Sequence, residues 1–240
     1  MTTLLLIRHG RTAANTAGIL AGRSPGVELD EVGRGQAAAV AERLIRVPLT
    51  SVITSPLRRC RQTAQAILAV RDGQQATVEN SLTECGYGDW TGKPLRELVK
   101  EKLWPTVQQQ PSAVRFPNGE SMTEMSARAV GAVRAWDAKQ AAEHGDHAVW
   151  AAVSHGDVIK AILADALGLH LDQFQRLLVD PASISIIRYT ATRPYLVTMN
   201  STTADLGDLL KPPPAPKKRS RKGSADAPVG GGLGAAEAPH

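Results

Sequence analysis

The chain has 240 residues, of which 42% are hydrophobic and 21% are charged, so it predicts a globular domain with a real core and excludes disorder throughout. The formal net charge is +5, but residues 211–240 hold six Lys and Arg against two Asp and Glu. The remaining chain is nearly neutral, which excludes a strong overall field for binding nucleic acid or membranes.

Stretches with the hydrophobic spacing of strands and of helices alternate along the chain. In chain order, the predicted elements are a strand at 4–7, a helix at 33–44, a strand at 51–54, helices at 57–70 and 122–143, a strand at 148–153, a helix at 158–167 and strands at 183–189 and 196–199. The alternation predicts an α/β fold, a three-layer αβα sandwich with a mostly parallel central sheet. The last two strands are candidates for antiparallel pairing at an edge.

Polar residues follow three of the predicted strands. They are Arg8-His9-Gly10, Ser55-Pro56 and Ser154-His155-Gly156. In a parallel sheet the reactive groups gather beyond the carboxyl ends of the strands, because several loops converge there. The sequence therefore predicts one site at this edge of the sheet, with a histidine from each of two loops.

The composition changes near residue 211 to a proline run, then a Lys- and Arg-rich cluster, then a Gly- and Ala-rich end. Such a segment cannot bury enough apolar surface to fold. We predict a folded domain at 1–205 and a disordered Pro/Lys/Gly-rich tail at 206–240.

The cysteines and the N-terminus bear on the cellular compartment. Cys60 and Cys85 form no CxxC pair and lack the spacing of zinc ligands, so neither a disulfide framework nor a structural metal is indicated. The apolar run at 4–7 is too short for a secretory signal, and no run approaches the length of a membrane span. We predict a cytoplasmic protein that uses no metal.

Seven short segments follow one another in a fixed order. They are RHG at 8–10, Thr12 with Asn15, LDEVGRGQA at 29–37, SPLRRCRQTA at 55–64, LTE at 82–84 with GDWTG at 88–92, PNGES at 117–121 and SHG at 154–156. This ordered series resembles the histidine phosphatase superfamily, also called the phosphoglycerate-mutase-like family, over nearly all of residues 1–200. The resemblance implies the fold of that family and a phosphatase without a cofactor.

Displacing an alcohol from a phosphate dianion needs an unprotonated nucleophile and positive charge around the phosphoryl oxygens. The resemblance implies that His9 attacks through Nε2, while a backbone carbonyl holds its Nδ1 proton, and becomes a phosphohistidine. Arg8 and Arg59 are implied to offer planar donor groups to the phosphate, with Arg58 as the competitor of Arg59. His155 is implied to donate to the developing charge, helped by a helix N-terminus.

The general acid must protonate the leaving alcohol and later deprotonate water. The resemblance assigns this role to Glu84, and Glu120 in the PNGES loop is left as a competing candidate. The implied catalytic residues are Arg8, His9, Arg59, Glu84 and His155. The implied substrate-binding residues are Arg8, Asn15, Gly22, Arg59 and His155.

Three functions are compatible with this set of residues. Mutases of the family hold a second phosphate with basic groups after the acid loop, but residues 93–116 contain no adjacent arginine pair and no long insertion. This favours hydrolysis of a small phosphorylated metabolite over a cofactor-dependent phosphoglycerate-type mutase. A non-catalytic phosphate-binding regulatory module is disfavoured because the catalytic set is complete. The identity of the metabolite and the oligomeric state, including a homodimer, are left open.

Overall fold

Six strands and seven α-helices make up residues 1–204, the part of the chain that this computed structural model describes. The strands are β1 (Thr2–Arg8), β2 (Leu49–Thr54), β3 (Ala76–Val78), β4 (Val149–Ser154), β5 (Ile184–Tyr189) and β6 (Pro194–Ser201). The helices are α1 (Ala13–Thr16), α2 (Glu31–Leu44), α3 (Arg58–Leu68), α4 (Leu95–Leu98), α5 (Trp104–Gln109), α6 (Met122–His144) and α7 (Gly156–Ala166). The disordered tail predicted at 206–240 lies outside the described residues.

The strands form one sheet in the order β3-β2-β4-β1-β5-β6. The first four strands of this order are parallel, whereas β5 runs antiparallel to β1 and β6 antiparallel to β5. The predicted mostly parallel sheet and the antiparallel pairing of the two late strands are therefore confirmed.

Both faces of the sheet are covered, which explains the unbroken apolar run in β1. Leu5 and Ile7 belong to a core cluster with α2 and α3, whereas Leu4 and Leu6 belong to a second cluster with α6 and α7. All four side chains are at most 3% exposed. Burying an aliphatic side chain of this size stabilises the fold by about 1.5–3 kcal/mol, so the central strand is firmly anchored in both layers. The three-layer sandwich is confirmed.

The predicted helices agree with the observed ones to within two residues at each end. Two of their starts have side-chain caps: Asp30 accepts a hydrogen bond from the Gly33 amide, and Ser121 forms a capping box with Glu124. The hydrophobic pattern predicts neither the short helices α1, α4 and α5 nor the strand β3. It has only three residues, two of them exposed at the sheet edge, so no hydrophobic pattern marks it.

The antiparallel direction of β5 has a consequence for the site. Ile184, the first residue of β5, pairs with Ile7 near the end of β1. The segment 177–183 that leads into β5 therefore lies at the same edge of the sheet as the carboxyl ends of the parallel strands. Among residues 1–204, the helices are all too short or too polar to cross a bilayer.

Candidate active site

The loops after β1, β2 and β4 meet at one edge of the sheet and place the predicted site residues side by side. The backbone binds them there: the His9 amide donates to the Ser154 carbonyl at 3.0 Å, and the Ser55 amide donates to the Val153 carbonyl at 3.0 Å. The rings of His9 and His155 lie 5.3 Å apart between centroids. The predicted convergence of two histidine loops is thus present.

The His9 side chain is oriented by its own loop. Its Nδ1 lies 2.7 Å from the Gly10 carbonyl oxygen, an acceptor that requires the proton on Nδ1. Nε2 is then unprotonated and accepts a hydrogen bond from Arg59 Nε at 3.2 Å. Burial, helped by the charges of Arg59 and Arg8, holds the pKa of His9 well below its ordinary value. The imidazole is therefore neutral, and its unprotonated Nε2 faces Arg59.

Arg59 joins the parts of the site. It lies in the first turn of α3 and is 3% exposed. Its Nη2 donates to the Gly22 carbonyl at 2.8 Å and lies 3.1 Å from His155 Nδ1. Its Nη1 is buried and has no hydrogen-bond partner among residues 1–204, so one donor is available for an anion. The competing Arg58 is 62% exposed and pairs with Glu28 at 3.1 Å, away from the histidines.

His155 is fully buried and is the N-cap residue of α7. Its Nε2 lies 2.7 Å from Ser55 Oγ, and its Nδ1 faces Arg59. Burial and the nearby charge of Arg59 hold the pKa of His155 well below its ordinary value. Both ring nitrogens thus contact protein groups, and donation from His155 to a phosphate stays a prediction.

Arg8 is fully buried at the end of β1. Its Nη1 donates to the Val179 carbonyl at 2.6 Å, in the segment that precedes β5. Desolvation lowers the pKa of Arg8, whereas the negative charges of Glu84, Asp180 and Asp157 raise it. Because arginine is not deprotonated in proteins, Arg8 contributes a positive charge to the site.

Glu84 and Glu120 differ sharply in their surroundings. Glu84 is 4% exposed and accepts from the Cys85 amide at 2.9 Å, and burial together with Asp157 raises its pKa to about 7. Glu120 instead pairs with Arg128 at 2.6 Å and Arg23 at 2.8 Å, contacts that lower its pKa. A carboxyl that exchanges protons near neutral pH suits acid–base work, whereas a doubly paired carboxylate does not.

Of the two remaining predicted substrate contacts, Gly22 contacts Arg59, whereas the Asn15 side chain is bound by Thr12. The Asn15 side-chain oxygen accepts from the Thr12 amide at 3.0 Å and hydroxyl at 2.8 Å, so this oxygen caps α1. Gly22 is buried with φ +50°, and this left-handed conformation turns its carbonyl toward Arg59. Substrate contact by either residue stays a prediction.

Several supporting residues were not singled out from the sequence. Thr63 accepts from the Gly10 amide at 3.1 Å, and Tyr87 donates to the buried Asp157 carboxylate at 2.8 Å. Arg128 binds the backbone of the Glu84 loop. Thr63 follows Arg59 by one helical turn, a spacing that could have identified it. The other contacts join distant parts of the chain and leave no local signal.

A metal site is not evident in this part of the chain: within residues 1–204, His, Cys, Asp and Glu side chains form no group of three or more with the geometry to hold an ion. The charges that surround His9 are those of Arg8 and Arg59.

Solved structures with the same fold include several phosphatases. A mycobacterial glucosyl-3-phosphoglycerate phosphatase in complex with VO3 is 28% identical, with a TM-score of 0.75, covering 83% of this chain and 99% of that one. Bacillus stearothermophilus YhfR is 26% identical, with a TM-score of 0.77 over 85% of this chain and 98% of that one. The alpha-ribazole phosphatase from Shigella flexneri is 27% identical, with a TM-score of 0.72 over 83% and 96%.

Sequence comparison gives the same grouping. The protein from Yersinia pestis named probable phosphoglycerate mutase GpmB is 32% identical over 191 residues, covering 79% of this chain and 86% of the relative. The profile of the histidine phosphatase superfamily (branch 1) matches residues 4–202. This match spans both histidine loops, Arg59 and Glu84. The chain belongs to the histidine phosphatase superfamily.

Proposed function

We propose that this chain hydrolyses monoesters of phosphate on small metabolites through a phosphohistidine at His9, without a metal. One observation carries the proposal: Nε2 of His9, unprotonated because Nδ1 donates to the Gly10 carbonyl, accepts a hydrogen bond from the buried Arg59, whose charge also acts on the buried Glu84 carboxyl. A nucleophile, a cationic cradle and a proton donor are the three parts that this chemistry needs.

In the first step, His9 Nε2 attacks phosphorus and the ester P–O bond breaks. Arg8 and Arg59 stabilise the charge on the phosphoryl oxygens, and the N-termini of α3 and α7 point their positive dipole ends toward the same site. Protonated Glu84 gives its proton to the leaving alcohol. The Gly10 carbonyl holds the Nδ1 proton, which becomes more acidic as His9 acquires the phosphoryl group.

In the second step, the Glu84 carboxylate removes a proton from water. The resulting hydroxide attacks phosphorus, the P–N bond breaks, and inorganic phosphate leaves. His9 is neutral again and Glu84 is protonated again, so the cycle closes without any other proton donor.

Phosphoglycerate mutase activity is the second candidate function, favoured by the 32% identity to the relative named as a probable mutase. A mutase must hold a second phosphate. The basic residues available between 93 and 116 are Lys93, Arg96, Lys100, Lys102 and Arg115, all of them exposed. Arg115 is bound to Glu124. This arrangement supports hydrolysis. A phosphate-release screen over phosphorylated metabolites, with a parallel assay for phosphoglycerate interconversion, separates the two activities.

The nucleophile can be tested by trapping. The enzyme is mixed with a ³²P-labelled monoester in the presence of a chelator and quenched in alkali, which preserves phosphohistidine. We expect acid-labile label on the wild type and none on His9→Ala, with turnover lowered by at least about 10⁴-fold. Label persisting on His9→Ala would refute the assignment, and loss of wild-type turnover in chelator would refute metal independence. Cytoplasmic location and a homodimer stay predictions.

A further inference from the structure

The loop that carries Glu84 is bound by a guanidinium from another part of the chain. Arg128, on α6, donates from Nη1 to the carbonyls of Ser81 at 2.6 Å and Thr83 at 2.7 Å, and from Nη2 to the Glu84 carbonyl at 3.1 Å. One side chain thus binds three carbonyls within four residues of the loop. The loop conformation at Glu84 therefore depends on where Arg128 lies.

Arg128 is itself oriented by Glu120. Its Nε donates to Glu120 Oε1 at 2.6 Å and its Nη2 to Oε2 at 2.9 Å, so the pairing is bidentate. Oε2 also accepts from the Gly86 amide at 3.0 Å, immediately beyond the Glu84–Cys85 peptide. Glu120 therefore binds the loop directly on one side and orients Arg128 on the other.

Arg23 completes the arrangement. Its Nε donates to the Glu84 carbonyl at 2.8 Å, and its Nη2 donates to Glu120 Oε2 at 2.8 Å. The Glu84 carbonyl thus accepts from two arginines, and one carboxylate pairs with both of them. We call Arg23, Glu120 and Arg128 the acid-loop clamp.

We propose that the acid-loop clamp positions Glu84 for proton transfer, with Arg128 as its central residue. The inference rests on the acid role of Glu84 under the proposed function. The geometric link is short: the Glu84 carboxylate accepts from the Cys85 amide, in the same peptide unit whose carbonyl the clamp binds from both sides. A rotation of that peptide moves the carboxyl relative to His9. The clamp residues are positioning residues, since their bonds are to the loop.

Substrates with different leaving groups distinguish a clamp that positions Glu84 from one that only stabilises the fold. Phenoxide needs protonation more than 4-nitrophenoxide, so a misplaced acid slows phenyl phosphate more than 4-nitrophenyl phosphate. We expect Arg128→Gln to lower kcat/KM for phenyl phosphate roughly tenfold and for 4-nitrophenyl phosphate less than about threefold. In the pH–rate profile of Arg128→Gln, the fall in activity at alkaline pH should also move to lower pH. A loosened Glu84 carboxyl regains contact with water, so its pKa falls.

Arg134→Gln is the matched control. Arg134 lies on the same helix, is 65% exposed and pairs with Asp165, so its loss should leave both substrates unchanged. Glu84→Gln is the reference for complete loss of the acid. If Arg128→Gln does not fold, as judged by its thermal transition, Glu120→Gln is measured instead. Arg23→Gln is the mildest variant, because Arg23 is 43% exposed.

The outcomes separate this inference from the proposed function. If Glu84→Gln and the clamp variant both slow phenyl phosphate selectively, the clamp positions the acid. If Glu84→Gln is selective but the clamp variant slows both substrates equally, the inference is overturned and the acid role stands. If Glu84→Gln shows no selectivity, the acid role itself fails, and the inference with it.

Discussion

The proposed mechanism needs His9 to be unprotonated and Glu84 to be protonated, and burial favours both of these states. Removal from water penalises a charge of either sign, so it lowers the pKa of the imidazole and raises that of the carboxyl. Under the proposed mechanism, His9 then has the unprotonated state of a nucleophile, and Glu84 has the protonated state of an acid below about pH 7. One physical cause therefore prepares both partners of the first step.

The pH dependence of kcat/KM follows from these two shifts. Glu84 acts as an acid only below its pKa of about 7, so activity should fall as the pH rises through that value. His9 stays neutral well below the ordinary histidine range, so it should cause no fall between pH 6 and 7. The measurement is a pH–rate profile with phenyl phosphate, whose leaving group depends on protonation.

Glu84→Gln serves as the control for the pH profile, because the ionisation of the substrate is the same in both enzymes. Its residual activity should lack the alkaline fall. A fall that persists unchanged in Glu84→Gln would contradict the assignment of this limb to Glu84.

At the residue scale, the placement of three side chains was predictable, whereas their catalytic roles stay predictions. His9, Arg8 and His155 follow strands, and that position alone brings them to one edge of the sheet. The choice between Arg58 and Arg59, and between Glu84 and Glu120, needed the resemblance, since adjacent or loop residues give no directional signal. Arg128 was not predictable, because its meaning lies in contacts with carbonyls more than 40 positions away.

At the scale of elements, the first turn of α2 packs closely against the backbone that follows His9. A Cβ on Gly33 would lie 2.0 Å from the Arg11 carbonyl oxygen, so only glycine fits there. We expect Gly33→Ala to destabilise the fold by about 1–3 kcal/mol and to lower kcat roughly tenfold, because relief of the overlap displaces the loop of the nucleophile.

Gly35→Ala is the matched control on the same helix, since a Cβ there meets nothing within 4 Å. It should leave kcat unchanged and stabilise the fold by roughly 0.5–1 kcal/mol, the helix-propensity gain of alanine over glycine. Chemical denaturation and steady-state rates measure both variants. Equal behaviour of the two alanines would show that the helix does not press on the loop.

The four long helices and the long strands were predictable because their apolar spacing repeats over many residues, whereas the short helices α1, α4 and α5 were not. β3 was not, since three residues at an exposed edge are too few to repeat. For β5, the sequence predicted only that it pairs antiparallel with the following strand at an edge of the sheet. The support of Arg8 by the segment 177–183 depends on the neighbour of β5 in the sheet, which the local pattern does not encode.

At the scale of the whole molecule, all the candidate site residues lie within 1–204, and the family profile ends at residue 202. Deleting residues 211–240 should therefore leave kcat and KM for 4-nitrophenyl phosphate within about twofold of the full chain. The deletion also removes most of the net positive charge, so elution from a cation exchanger should shift to lower salt. A large loss of turnover would place part of the active fold in that segment.

The order of the strands in the sheet has a consequence for how the protein is made. Of the six described strands, β1 is translated first, yet its two neighbours in the sheet, β4 and β5, are translated after β2 and β3. Leu5 pairs with Ala151 on one side and with Ile186 on the other, so neither pairing can form until those residues have been synthesised. Pairings of such long sequence separation fold slowly and expose apolar strands meanwhile. His9, directly after β1, is therefore translated well before the strands that hold it in place.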